Sequence, residues 1–356
     1  MRDPRLEQYA RILVDTCIGV EPGWQVLVSA GPLGRPLVDE VARQLGARGA
    51  YALVRPNLTG SIPWVIEAPE ELLDALPPID VQAFENADGL IAIDAPENTR
   101  ETSAVSPERL GRLQAAIRPV LERVYTNELK WVGCNYPTPA LAQDAGMSLR
   151  DYEDFLYGAC LLDWDAERER MSRYAERFDA ADEVRIVGAE TDLKLSLAGR
   201  SGAVDAGGAN MPGGEFFYSP VEDSAEGTIS FLEFPAPYVG REVSGIRLRF
   251  AGGTVVDASA ASEEAFLLEL LDQDEGARRL GELGIGCNPG VTRFMKNTLF
   301  DEKIDGTIHL ALGNGLPEIG GMNHSEIHWD IVKDLRPGGQ ILLDGEVVQQ
   351  DGVWQI

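Results

Sequence analysis

A change of hydrophobic period near Asp179 divides this chain of 356 residues into two kinds of sequence. Before it, helix-period segments alternate with short apolar runs. Leu6 to Ile18 carries Tyr9, Leu13 and Cys17 at four-residue spacing, and Gln25 to Ala30 follows as a strand. A helix over Pro36 to Leu45 leads to a second extended run, Ala52 to Arg55, which completes a β-α-β unit. The strand Gly89 to Asp94, a helix over Pro107 to Val124 and a short strand around Trp131 to Gly133 continue the alternation, the mark of an open α/β sheet. Met147 to Phe178 reads as one long connecting helix with Ser148 as its N-cap. Beyond Asp179 the period falls to two. Short alternating strands are expected at Glu183 to Val187, Leu193 to Leu197, Gly227 to Leu232, Gly245 to Phe250 and Thr254 to Asp257. Gly252-Gly253 marks a hairpin turn, and Ser262 to Leu271 interrupts the strands as a helix. The expected architecture is an α/β N-terminal domain with an open sheet, residues 1–180, and a strand-rich, barrel-like α+β domain, residues 181–356.

Charge removes two classes of partner. Lys+Arg 31 against Asp+Glu 58 leaves a net charge of −27, a field that repels nucleic acid and anionic membrane surfaces. A surplus of acid around a cleft favours cations instead, metal ions or free amino termini among them. Lysine occurs only at positions 130, 194, 296, 303 and 333, which fits either a GC-rich genome or a salt-adapted cell. Cys17, Cys134, Cys160 and Cys287 lack any C-x-x-C pairing and read as buried thiols of a reducing compartment. No apolar run approaches the roughly 18 residues that span a bilayer, so a cytoplasmic protein without membrane contact is expected.

All three histidines, His309, His324 and His328, fall between Gly306 and Asp330. Thr307 to Leu312 is a short apolar run bounded by glycine, a buried strand carrying one imidazole. Glu326 to Val332 alternates polar and apolar, so Glu326, His328 and Asp330 share a face, with the last two about 6.6 Å apart at strand rise. A single histidine on an apolar strand is most often a hydrogen-bonded core residue. His-x-Asp beside a second histidine-bearing strand is a metal pattern, because imidazole and carboxylate together suit zinc, manganese or cobalt. Two further carboxylates stand in unusual settings. Glu215 follows the turn Pro212-Gly213-Gly214, where it is a solvated turn residue or a fixed ligand, and Glu282 lies among small and apolar neighbours. Asp94, at a strand end, is a ligand contact or a loop cap.

Four ordered motifs carry a resemblance: Asn-x-Pro-x-Gly-Glu at Asn210 to Glu215, Gly-Glu-x-x-x-Gly at Gly281 to Gly286, Gly-Thr-x-His-x-Ala-Leu-Gly at Gly306 to Gly313, and Ile-His-Trp-Asp at Ile327 to Asp330. Together they resemble the aminopeptidase T and aminopeptidase S family, the thermophilic metalloproteases. Ala145 to Ser148 with Tyr152 and Phe155 extends the likeness into the N-terminal half. The resemblance implies a homodimeric metallo-aminopeptidase acting on peptides, with two divalent ions (zinc, cobalt or manganese) that polarise a peptide carbonyl and activate water. It implies Glu215, Glu282, His309, His328 and Asp330 as the metal ligands, with Glu215 and Glu282 also carrying the chemistry. One departure stands out. Where the family has a tyrosine able to stabilise the tetrahedral intermediate, this chain has Leu316, which leaves the metals, Tyr218 or His324 as replacements. Glu226 and Glu326 have no assigned role. Other readings are a paralogue hydrolysing another small amide or ester, and a metal-bearing scaffold without catalysis.

Overall fold

The computed structural model describes residues 3–56, 62–126 and 128–355. Its contacts group residues 1–162 with 207–212 as one compact unit, and residues 163–206 with 213–356 as a second.

The first unit is built on a five-stranded parallel sheet in the order Tyr51–Pro56, Gln25–Ala30, Gly89–Asp94, Lys130–Asn135, Asn210–Met211. Val26, Val28, Ile91 and Val132 are fully buried in it. The helix Arg35–Ala47 turns Leu37, Val41 and Leu45 inward at four-residue spacing, as an amphipathic crossover between parallel strands must. The fifth strand is two residues long and arrives from beyond residue 200, too short to show a period. Two helix expectations change. The N-terminal helix is α-helical only over Pro4–Arg11 and continues as a π-helix over Ile12–Cys17. The single long helix expected at Met147 to Phe178 is two, Leu149–Cys160 and Trp164–Asp179. Ser148 caps the first, as expected, and Asp163 caps the second by accepting from the Ala166 amide. A capping aspartate satisfies amides that a continuous helix would have bonded itself, so the chain restarts there.

The second unit is strand-rich, with several antiparallel sheets. One has eight strands in the order Thr254–Ser259, Ile246–Ala251, Glu226–Phe231, Thr191–Ser196, Glu183–Gly188, Gln340–Leu343, Glu346–Gln350, Val353–Trp354. Its period-two sequences bury alternate residues, such as Ile246, Leu248 and Phe250. Gly252 and Gly253 form the expected turn with φ of +55° and +73°, and Glu226 accepts from the Gly252 amide at 2.6 Å, which gives that residue a turn-capping role. A second, five-stranded sheet runs His328–Asp334, Thr307–Gly313, Leu280–Gly286, Glu215–Tyr218, Ala203–Asp205. The two central strands, Leu280–Gly286 and Thr307–Gly313, are buried at every residue, on both faces. Cys134, Cys160 and Cys287 are buried. Among the described residues no helix is long and apolar enough to cross a membrane.

Candidate metal centre

The five-stranded sheet collects ionisable side chains on one face. Cross-strand partners share a face, and the registers are Glu215 opposite Gly286, Glu282 opposite Ala311, Ala311 opposite Asp330, Gly284 opposite His309, and Gly313 opposite His328. The positions between the polar residues are therefore Gly284, Gly286, Ala311 and Gly313. At Gly286 and Gly313 a Cβ would meet the Ile304 and Ile327 carbonyl oxygens at 2.2 Å, so close backbone approach keeps those positions small. At Gly284 the neighbour is the cluster itself, since a Cβ would lie 2.0 Å from the His309 ring. A bulge between Leu280 and Glu282 shifts the register at the point where Glu282 is aimed at both histidines.

Glu282 is the hub. Its Oε1 lies 3.2 Å from His309 Nε2, and its Oε2 lies 3.3 Å from His328 Nε2. Each imidazole has a second carboxylate beside it: Glu215 Oε2 is 3.6 Å from His309 Nε2, and Asp330 Oδ1 is 3.6 Å from His328 Nε2. The other ring nitrogens donate to backbone carbonyls, His309 Nδ1 to Glu302 at 3.2 Å and His328 Nδ1 to Asn314 at 2.8 Å. These bonds place a proton on Nδ1 and aim Nε2 at the carboxylates. Glu215 Oε2 and Asp330 Oδ1 are buried with no hydrogen-bond partner. Acceptors left in that state ask for a cation.

The electrostatics agree. Burial pushes the Glu215 carboxyl up to about 8, despite the Lys303 ammonium beside it. Burial also raises Asp330, to about 6. For Glu282 burial works in the same sense, but hydrogen bonds from His309 and His328 prevail and hold it down at about 2. Burial would lower both imidazoles, yet the hydrogen bonds to Glu282 and the charges of Glu215 and Asp330 raise His309 to about 10 and His328 to about 9. Protons thus occupy a pocket whose donor atoms lie within 4.8 Å of one another, in the sets Glu282, His309, Asp330 and Glu215, Glu302, His309.

Three residues at this site escaped the sequence reading. Glu302 and Lys303 follow the short helix Thr298–Asp301, and Lys303, wholly buried, sets its Nζ 3.1 Å from Glu215 Oε1 while contacting Glu302 Oε1. The only sequence signal was a lysine in a chain with five of them, next to an acid and seven residues or fewer before His309. Tyr238, on the strand Ala236–Tyr238, has its phenol beside the His328 backbone, and burial, with a smaller push from the Asp330 charge, raises its ionisation. Its ring lies 5.6 Å from that of Trp329. No local pattern marks it, because a separate hairpin brings it in.

Other expectations change. Tyr218 sits on the opposite face of its strand from Glu215 and donates to Asp179 Oδ1 at 2.9 Å and Ala175 O at 3.0 Å, so it is no donor to the cluster. His324 is exposed in a loop. Glu326 precedes its strand, which starts at His328, and its exposed amide bonds Asp274. Asp94 accepts from the Asn135 side chain at 2.8 Å.

Three carboxylates and two imidazoles gathered on one face of an antiparallel sheet, with Glu215, Glu282 and His309 buried, make the donor set of a metal-binding protein. Residues 2–352 match the family described as thermophilic metalloprotease (M29), and the chain belongs to that family. It is 28% identical over 410 residues to aminopeptidase 2 of Geobacillus stearothermophilus, covering 99% of this chain and 98% of the relative. Aminopeptidase T of Thermus thermophilus is 27% identical, covering 88% and 85%. The solved structure of wild-type AmpT from Thermus thermophilus superposes with a TM-score of 0.87 over 99% of both chains at 24% identity. A 2,5-dihydroxypyridine dioxygenase from Pseudomonas putida shares the fold with a TM-score of 0.63 at 16% identity.

Proposed function

We propose that this metal-dependent aminopeptidase removes N-terminal residues from peptides at the Glu282 cluster, using two divalent ions of zinc, cobalt or manganese. The observation that carries the reading is the division of labour at Glu282, whose two oxygens face two different imidazoles, each flanked by a carboxylate with a buried, unpartnered oxygen. The donor set fits such ions, being nitrogen and oxygen without thiolate. Glu215, Glu282 and His309 would hold one ion, and Glu282, His328 and Asp330 the other. When bound, the pair supplies Lewis acidity toward a peptide carbonyl and lowers the pKa of water to near neutrality.

The chain's own residues do the rest. The Glu302 and Asn314 carbonyls lock both imidazoles in the tautomer that presents Nε2. Lys303 steadies Glu215 by binding its outer oxygen. Tyr238 takes the place of the phenol missing at Leu316, because it lies beside the strand that carries His328 and Asp330 and its hydroxyl can donate to the oxyanion of the tetrahedral intermediate. The negative charge of the cluster and of the chain, −27 in all, favours a substrate's ammonium terminus. A homodimer, drawn from the family likeness, and a reducing cytoplasm, drawn from the cysteines' lack of C-x-x-C pairing, complete the reading.

The test is direct. Purified protein should carry about two transition-metal ions per chain and release the chromophore from aminoacyl substrates with a free amine, not from their N-acetylated forms. Glu282→Gln should abolish turnover. Protein that binds no divalent ion would end the reading.

A further inference from the structure

One half of the cluster already contains a cation. Lys303 is wholly buried, with Nζ 3.1 Å from Glu215 Oε1 and in contact with Glu302 Oε1. Its ammonium is enclosed between these two carboxylates in a site closed to water. The half formed by Glu282, His328 and Asp330 differs. Among the described residues, the only cationic partners of Glu282 and Asp330 within ion-pair distance are the two imidazoles.

We propose that Lys303 is a built-in counter-ion that makes the two metal positions unequal, so that the Glu282–His328–Asp330 side fills first and the Glu215–His309 side binds its ion weakly. This inference rests on the two-ion reading above. A fixed positive charge sharing the Glu215 carboxylate repels an incoming dication across a short, poorly screened distance. It also engages Glu302, a carboxylate within reach of the same pocket. Finally, the imidazole on this side is 1% exposed, against 33% for the His328 side chain, so the incoming ion must shed its water with less help from solvent. At limiting metal the enzyme then carries one ion, and the second comes and goes with supply.

The experiment is a calorimetric titration of manganese(II) into metal-stripped, full-length protein. Two steps differing at least about tenfold in affinity are expected. Glu215→Gln should remove the weak step and Asp330→Asn the tight one. Lys303→Met should tighten the weak step by about tenfold or more, while Lys303→Arg, which keeps the charge, should leave the two steps unequal. Two ions of equal affinity in the native protein, a reversed assignment of the steps, or no tightening in a folded Lys303→Met protein overturns the proposal. The native titration decides even where the methionine variant does not fold. No manganese uptake at all would instead defeat the functional reading on which the inference stands.

Discussion

The two halves of the Glu282 cluster share one carboxylate and differ in nearly everything else. On the inner side His309 and Glu215 are 1% and 5% exposed, and Lys303 supplies a permanent positive charge. On the outer side His328 is a third exposed, Asp330 has no lysine or arginine beside it among the described residues, and Tyr238 packs against the strand. Deep burial of like charges is tolerated only where a counter-charge is built in, whereas partial exposure lets water and substrate serve that purpose. The inner side therefore has part of its charge already met by Lys303, and the outer side leaves its charge open to a metal ion and to substrate.

The largest expected effect breaks the inner side alone. Gly284→Ala puts a methyl 2.0 Å from the His309 ring, so the imidazole must leave its position or the central strand must shift. A loss of about 2–3 kcal/mol in denaturant unfolding is expected, together with loss of the inner metal. Asp330→Asn addresses the outer side with little change of shape. Removing the ligand charge should lower kcat/KM by at least about a hundredfold, since Lewis-acid stabilisation is worth several kcal/mol, while thermal unfolding of the metal-free variant stays near that of the metal-free parent.

A pH series compares both halves at once. In metal-free protein the folded-state values of Glu215 (about 8), Asp330 (about 6), His309 (about 10) and His328 (about 9) all lie above their ordinary ones. Groups raised on folding favour the native state below their unfolded pKa, and that contribution is lost as pH rises through the folded value. Metal-free protein should thus lose thermal stability between about pH 7 and 10, and added manganese should remove the slope, because the ions replace the protons. Stability that rises over this range would contradict the electrostatics of the cluster. The smallest effect is the sharpest for the outer side: Tyr238→Phe should lower kcat about tenfold, leaving manganese affinity and fold unchanged. An unaltered kcat would remove the phenol from the reaction.

Legibility from sequence followed the range of the interactions. Period two exposed the Ile246–Ala251 strand, and the serine at 148 announced the helix behind it, because both depend on neighbours a few residues away. The break at Asp163 was missed for the opposite reason: a helical period continued across it, and only the cap geometry ended the first helix and restarted the chain. Glu215, Glu282, His309, His328 and Asp330 could be singled out from their settings and from the family motifs. Glu302 and Tyr238 could not, since a loop acid and a hairpin aromatic carry no local mark of what lies across from them. Tyr218 misled for the same reason, its hydroxyl being turned toward Asp179 on the far face.

By itself, the sequence determined the change from helix–strand alternation to short alternating strands and the acidic balance, both consequences of local pattern and composition. Tertiary structure alone decided that Glu282 divides its oxygens between two histidines, that Lys303 shares Glu215, and that Tyr238 reaches His328. The physical reason is that cross-strand register and burial act between residues tens to nearly a hundred positions apart, where the sequence holds no period to read.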